Sequence, residues 1–327
     1  MWLNMVKKKD YKSIKSIYSQ KILITGGHGF LGSALIIELK NKGYTNLIYP
    51  TSKEYDLLNQ NKVDKLFQDF KNIDILIHLV ALSKGLGFNK KYPSQALYNN
   101  LLCNTFVLHN ANKYNIKKVI TIGSVCAYPE NATIPYKEEE MWEGYPEEIN
   151  APYGLAKRIM IIHGQLLRKQ YGLNVIHPIL SNLYGPKDNF DLESSHVIPA
   201  LIRKFTDAKI NNSKFVEIWG DGSATREFLF VEDAVKAIIL MLEKYNKSDP
   251  INIGSGEEIS IKQLVKLIKK LTGFHGKIIW NKSKPKGQPK RYSDTSKAQL
   301  EFGFKSETTI EEGLKKTFEW YLRNRII

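Results

Sequence analysis

The chain has 327 residues, 43% of them hydrophobic and 25% charged, which suits one large α/β unit or about two folded domains. No apolar run reaches the ~18 residues of a membrane span, the polar start around Lys7-Lys8-Lys9 has no apolar signal core, and Cys103 and Cys126 are too few for a disulfide framework and lack zinc-ligand spacing, so a reducing cytoplasm is expected. The net charge of +15 comes from lysines spread along the chain, with short clusters at Lys117-Lys118 and Lys282 to Arg291; it describes a solvated surface that favours anionic small ligands, with no membrane or nucleic-acid partner expected.

Residues 1 to 20 read as a basic tail. Lys21 to Thr25 is a short apolar run that stops at glycines, as a buried parallel strand does. Ser33 to Lys42 has helical spacing and ends at Gly43, a stop signal. Asn46 to Tyr49 reads as a strand, Asn61 to Phe70 as a helix, and Ile73 to Val80 as a strand. A long helix follows from Pro93 to Tyr114, then a strand from Lys118 to Ile122, a helix from Ala151 to Tyr171 and a strand from Asn174 to Leu180. This alternation predicts an α/β fold with a doubly wound parallel (Rossmann) sheet.

The alternation weakens after Tyr184. A polar loop (Gly185 to Ser195), a helix (Val197 to Lys209), a strand (Phe215 to Trp219) and a late helix pair (Ile261 to Thr272, Ile310 to Arg325) predict a smaller mixed α/β domain. Phe228 to Val231 and the helix from Asp233 to Tyr245 return to the first domain. The expected division is 21–182 plus about 229–253 for the dinucleotide domain, and 183–228 plus 254–327 for a substrate domain.

Gly26, Gly29 and Gly32 follow a strand and open a helix. The first permits a tight turn, the second a close approach of backbone to pyrophosphate, the third close helix–strand packing. The helix start at Phe30 and Leu31 offers free N–H groups and a positive dipole to phosphates. After Tyr49 come Thr51, Ser52 and Lys53, and the first carboxylate is Glu54. Hydroxyls and an ammonium there favour a 2′-phosphate, so NADP(H) is the expected cofactor. His28 either adds a donor or is a plain turn residue. Asp56 and Leu57 can hold the adenine edge, and Leu79 and Ala81 at the next strand end complete the candidate set.

Tyr153 and Lys157 lie four apart on a predicted helix and share a face. A phenol with a pKa of about 10 is a poor acid at neutral pH. A neighbouring ammonium stabilises the phenolate and brings it toward the working range. The same lysine can hold the nicotinamide ribose. Ser124, at a strand end, can hydrogen-bond the same carbonyl. These three suffice for carbonyl reduction.

In these residues the chain resembles the extended short-chain dehydrogenase/reductase family, from Lys21 to Tyr321. The segments that carry the likeness are Gly123 to Pro129, Ala151 to Lys157, Asn182 to Phe190, Ser195 to Pro199, Trp219 to Phe228 and Lys284 to Pro289. The resemblance implies that Ser124, Tyr153 and Lys157 form a reductase triad. It implies that Cys126 is a base on sugar carbons and that His196, also near the cofactor, is the acid on the other face. Asn182, Val197, Trp219 and Arg226 match positions near a nucleotide sugar, and Lys204 joins that set. The resemblance further implies a homodimer built on the helices at Pro93 to Tyr114 and Ala151 to Tyr171. The reaction implied is NADPH-dependent 3,5-epimerisation and 4-reduction of a GDP-4-keto-6-deoxy hexose.

That chemistry fits the residue types. C–H bonds beside a ketone are acidified, and a thiol and an imidazole exchange protons near neutrality, with ordinary pKa values of about 8.5 and 6.5. Cys126, two residues past Ser124, can face the same side of an extended segment. Arg226 in a polar turn can bind a diphosphate bidentately. Trp219 either stacks on the base or packs the small domain. Cys103 and His78 read as packed core residues. The family often has Ser-Ser-Cys where this chain has Ser124-Val125-Cys126, a Pro where Leu180 stands, and a different loop at Leu82 to Phe88. The alternatives are a reductase or epimerase on another nucleotide sugar, such as a GDP-4-keto heptose, and a non-catalytic NADP(H)-binding protein.

Overall fold

The computed structural model describes residues 17–82, 86–283 and 288–325. Most of the basic tail, residues 83–85 of the altered loop and residues 284–287 lie outside the described residues. The strands, in chain order, are β1 (Ile22–Thr25), β2 (Leu47–Ile48), β3 (Ile75–His78), β4 (Lys118–Thr121), β5 (Gly123–Ser124), β6 (Asn174–Ile176) and β7 (Pro178–Leu180). Then come β8 (Asn182–Tyr184), β9 (Phe215–Trp219), β10 (Thr225–Phe230), β11 (Ile251–Ile253), β12 (Glu258–Ser260) and β13 (Lys277–Asn281). The helices are α1 (Phe30–Asn41), α2 (Gln60–Asp69), α3 (Leu86–Lys91), α4 (Pro93–Lys113), α5 (Ala151–Tyr171), α6 (Val197–Ile210), α7 (Val231–Lys244), α8 (Ile261–Thr272), α9 (Ser296–Phe302) and α10 (Ile310–Asn324).

The expected parallel sheet is present, in the order β2-β1-β3-β4-β6. β1, β3 and β4 are buried along their whole length, which is why their centres read as apolar with no polar alternation. Chain direction across the sheet reverses at β1: β2 lies on one side and β3 on the other. A crevice outside the carboxyl ends of β1 and β3 is the consequence.

The strand expected from Asn174 to Leu180 is two. His177 interrupts it, because its ring meets the Thr121 hydroxyl (2.7 Å) and its carbonyl accepts from Ile251 N (3.1 Å). β7 then pairs with β5 and β11, which extends the parallel array past the break. The first helix starts at Phe30, inside the glycine motif and three residues ahead of the expected Ser33. Lys118, expected on a solvated surface, is buried: its Nζ donates to the carbonyls of Met241, Leu242 and Tyr245 at 2.9, 2.6 and 2.7 Å and caps the end of α7.

Two apolar clusters sandwich this sheet. One joins β1, α1 and α7 with Ala298, Phe302 and Phe304; the other joins α2, α4 and α5. A third cluster is separate and is built from α6, α8, α10 and β9 (Leu201, Ile202, Phe205, Val216, Ile268, Leu314). Ser260 and Thr309 start α8 and α10 with full capping boxes, which explains why those two helix starts were legible. No helix among the described residues is long and apolar enough to cross a membrane.

Candidate active site

The crevice at the ends of β1 and β3 is a cleft of about 410 Å³. Its walls include Gly26, His28, Gly29, Thr51, Ser52, Asp56, Leu57 and Ala81, all expected cofactor contacts. Phe30, Leu31, Gly32, Lys53 and Leu79 are not in its walls. The first three form the opening turn of α1 behind it, Lys53 is exposed beside it, and Leu79 packs on the core with its N–H given to Thr25 O (3.0 Å). Gly26 has φ +79°, and a Cβ on Gly32 would stand 2.2 Å from Gly26 O, so turn and helix meet only because both are glycine. Gly26 and Gly29 bring bare backbone to the cleft wall at the start of α1, where free N–H groups form the cradle a pyrophosphate needs.

At the strand-two end, Glu54 is turned back onto its own loop. Its Oε2 accepts from Thr51 N and Thr51 Oγ1, both at 2.7 Å, and those bonds hold its carboxyl below the usual range. His28 Nε2 lies 3.0 Å from Tyr49 O; a carbonyl only accepts, so this nitrogen carries the proton.

The second group surrounds the start of α5. Its Tyr153 and Lys157 are one turn apart, with Lys157 Nζ 5.6 Å from the Tyr153 ring centroid. Lys157 is buried, and loss of hydration lowers its pKa to about 8. Between the two lies Gly154. A Cβ there would be 2.1 Å from Cys126 O, so the helix backbone lies directly against the turn that carries the thiol.

That turn corrects the sequence expectation. Val125 to Ala127 is a 3₁₀ turn, not extended chain, and Ser124 caps it by accepting from Cys126 N at 3.2 Å. Ser124 and Cys126 are therefore related by a cap, not by strand alternation. His78 and Cys103 are core residues, as expected. His78 bonds Thr25 Oγ1 (2.7 Å) and Asn104 Oδ1 (3.1 Å), and burial drops its pKa to about 3; burial pushes the Cys103 thiol up to about 12. Cys103 nonetheless reaches the cleft wall.

The remaining candidates come from the chain beyond Leu180. His196 is the N-cap of α6 and Val197 its first residue. The His196 side chain is exposed at that cap, and the neighbouring protein lowers its pKa by reducing its hydration. Asn182 starts β8 and donates to Glu227 O (2.9 Å). Lys204 lies over the Trp219 ring at 5.9 Å, and Trp219 is 51% exposed at the end of β9, so it does not pack the core. Arg226 lies on β10, not in a turn; its Nη1 donates to Thr225 O (2.6 Å) and Gln288 O (2.7 Å), and burial with the nearby Arg291 lowers its pKa to about 10.

Arg291 was missed. It reads in sequence as the last of a basic surface cluster, but it is buried with Nη1 3.6 Å from Cys126 Sγ. The only sequence signal is its place two residues past the family-like segment that ends at Pro289, which does not distinguish a buried arginine from an exposed one.

A glycine turn opening a helix at the reversal point of a parallel sheet, with a half-buried tyrosine one turn from a buried lysine on a later helix, defines a Rossmann-type dinucleotide-dependent enzyme. The chain belongs to the NAD dependent epimerase/dehydratase family, whose pattern it matches over residues 22–254. It is 38% identical over 306 residues to GDP-L-fucose synthase 1 of Arabidopsis thaliana, covering 94% of each chain. Among solved structures, it is similar to a GDP-6-OMe-4-keto-L-xylo-heptose reductase from C. jejuni (TM-score 0.89, 32% identity, 94% of this chain and 99% of that one). It is also similar to an NADP-bound GDP-L-fucose synthetase from Naegleria fowleri (TM-score 0.84, 29% identity, 93% and 94%).

Proposed function

We propose that the chain is an NADPH-dependent 3,5-epimerase and 4-reductase that converts GDP-4-keto-6-deoxy-mannose to GDP-L-fucose. The observation that carries this reading is the apposition at Gly154: the Tyr153–Lys157 turn lies against the backbone of Cys126, so reduction and carbon–proton chemistry share one pocket. NADPH, when bound, supplies the hydride to C4. Tyr153 donates its proton to the C4 oxygen, the Lys157 ammonium stabilises the phenolate left behind, and the Ser124 hydroxyl donates to the same oxygen. Before reduction, Cys126 takes a proton from C3 or C5 and the C–H electron pair passes into the enolate. His196 returns a proton to the opposite face. The donors at O4 serve both steps.

For the cofactor, Thr51, Ser52 and Lys53 are the residues that would hold a 2′-phosphate, since Glu54 is occupied by Thr51. Asn182, Val197, Lys204, Trp219 and Arg226 would hold the GDP-sugar. The chain works as two bodies, a dinucleotide body (21–182 and about 229–253) and a sugar body (183–228 and 254–327), with α9 joined to the first because Ala298 and Phe302 pack there. A homodimer is supported by the exposed apolar stripe Ile159, Ile162 and Leu166 on α5 and by Tyr98 on α4. The free thiols of Cys103 and Cys126 suit the reducing cytoplasm.

A second reading, reduction of a GDP-4-keto heptose, is favoured by the likeness to the heptose reductase and the departure at Leu82 to Phe88. Incubation with NADPH and a panel of 4-keto nucleotide sugars decides between them. Faster turnover of GDP-4-keto-6-deoxy-mannose is expected; turnover of the heptose alone would overturn the first reading.

A further inference from the structure

No step of the proposed reaction uses Arg291, yet its guanidinium is built into the pocket with unusual care. It is 7% exposed. Nε and Nη2 both donate to Gln288 Oε1, at 2.8 and 2.5 Å, which fixes the plane of the fork. Gln288 is held in turn: its Nε2 donates to Glu130 O (3.1 Å) and its carbonyl accepts from Arg226 (2.7 Å). The remaining arm, Nη1, is aimed at Cys126 Sγ.

A second line of bonds reaches the same guanidinium from α3. Asn89 Nδ2 donates to Asn150 Oδ1 (3.1 Å), Asn150 Nδ2 donates to Glu147 Oε2 (2.5 Å), and that carboxylate lies 4.0 Å from Arg291 Nη2. Asn150 is the N-cap position of α5, so the chain of contacts ties α3, the Tyr153–Lys157 helix and the thiol together. The titratable and charged groups facing the Arg291–Cys126 pair are Tyr136, Glu147 and Arg226, while Tyr153 and Lys157 lie on the helix packed against the thiol's turn.

An arginine stays charged at any working pH, and a cation beside sulfur favours the thiolate, the form able to accept a proton from carbon. We infer that Arg291 is a positioning residue for the epimerase half of the reaction: it aims Cys126 Sγ and stabilises the negative sulfur before proton abstraction. The inference rests on Cys126 being the base. In each transfer the sulfur passes from thiolate to thiol, the carbon's electron pair enters the enolate, and Arg291 loses its anionic partner until the proton is released.

The test is the rate of Cys126 alkylation by iodoacetamide at neutral pH, read peptide by peptide with mass spectrometry, alongside solvent-deuterium exchange into the 4-keto sugar nucleotide. Arg291→Gln should slow both about tenfold. Arg291→Lys should restore most of both. An unchanged alkylation rate in an Arg291→Gln protein that still binds NADPH would overturn the inference. So would a loss of turnover that appears only as a raised KM for the sugar nucleotide, which is what a purely substrate-binding arginine gives. If Arg291→Gln does not fold, Gln288→Ala decides: releasing the fork should slow alkylation by less, and no change contradicts the inference. Cys126→Ser separates the two claims. Normal exchange in that variant ends the base assignment, while the alkylation rates of the proteins that keep Cys126 still report on the Arg–Cys pair.

Discussion

The half of the site proposed for reduction and the half proposed for epimerisation are assembled in different ways. Tyr153 and Lys157 come from one turn of α5, and Ser124 from the end of a strand that the same helix covers. Cys126, His196 and Arg291 come from a 3₁₀ turn, the N-cap of α6 and a loop after β13, and Arg291 meets Cys126 only in the folded chain. The first half is fixed by local geometry. The second depends on how the sugar-side segments sit against the sheet, so it should tolerate change less predictably and lose function without loss of cofactor binding.

The largest effect that separates the halves is expected from Tyr153→Phe. It should cut NADPH oxidation about 10²–10⁴-fold while solvent exchange at C3 and C5 persists, as read by product NMR in deuterated water. Cys126→Ser should do the reverse: exchange falls by roughly 10²-fold or more with NADPH binding intact. If both variants lose both activities equally, the halves are not separable.

Gly154→Ala should damage both at once. Its Cβ would meet Cys126 O at 2.1 Å, and relieving that overlap costs roughly 1–3 kcal/mol and displaces the thiol's turn from the helix. A lowered Tm with parallel losses in exchange and reduction is the expected pattern. An unchanged Tm would mean that the helix and turn are not in the tight contact described.

A pH profile sharpens the comparison further. Burial lowers the Lys157 pKa to about 8, so its ammonium is present below that pH and lost as pH rises through it. kcat/KM for reduction should fall on the alkaline side with a midpoint near 8, because that parameter titrates the free enzyme. Lys157→Arg should remove that limb. The smallest effect is expected from Lys53→Ala, about a tenfold drop in preference for NADPH over NADH, since Lys53 is exposed and one of several residues near the ribose end.

Much of the first half was legible because its signals are local. Buried parallel strands read as apolar runs, Gly26 and Gly32 mark a turn that tolerates no Cβ, and Tyr153 and Lys157 are spaced by one helical turn. The second half was legible only through family likeness, and details failed where tertiary contacts decide. Cys126 and Ser124 are joined by a cap, not by an extended segment. Lys118 and Arg291 carry charge into the interior because carbonyls and Gln288 await them there; the carbonyls that Lys118 meets are at least 123 residues away, and nothing in the sequence marks nearby Gln288 as buried. His177 broke an expected strand for the same reason: its partner, Thr121, is far away in the chain.

The most direct test of a shared pocket is a single incubation of the unchanged enzyme with GDP-4-keto-6-deoxy-mannose and NADPH in deuterated water. The expected product is GDP-L-fucose carrying solvent deuterium at both C3 and C5. A C4-reduced product with no deuterium at either carbon would contradict the account, leaving a reductase whose thiol, imidazole and guanidinium serve another purpose.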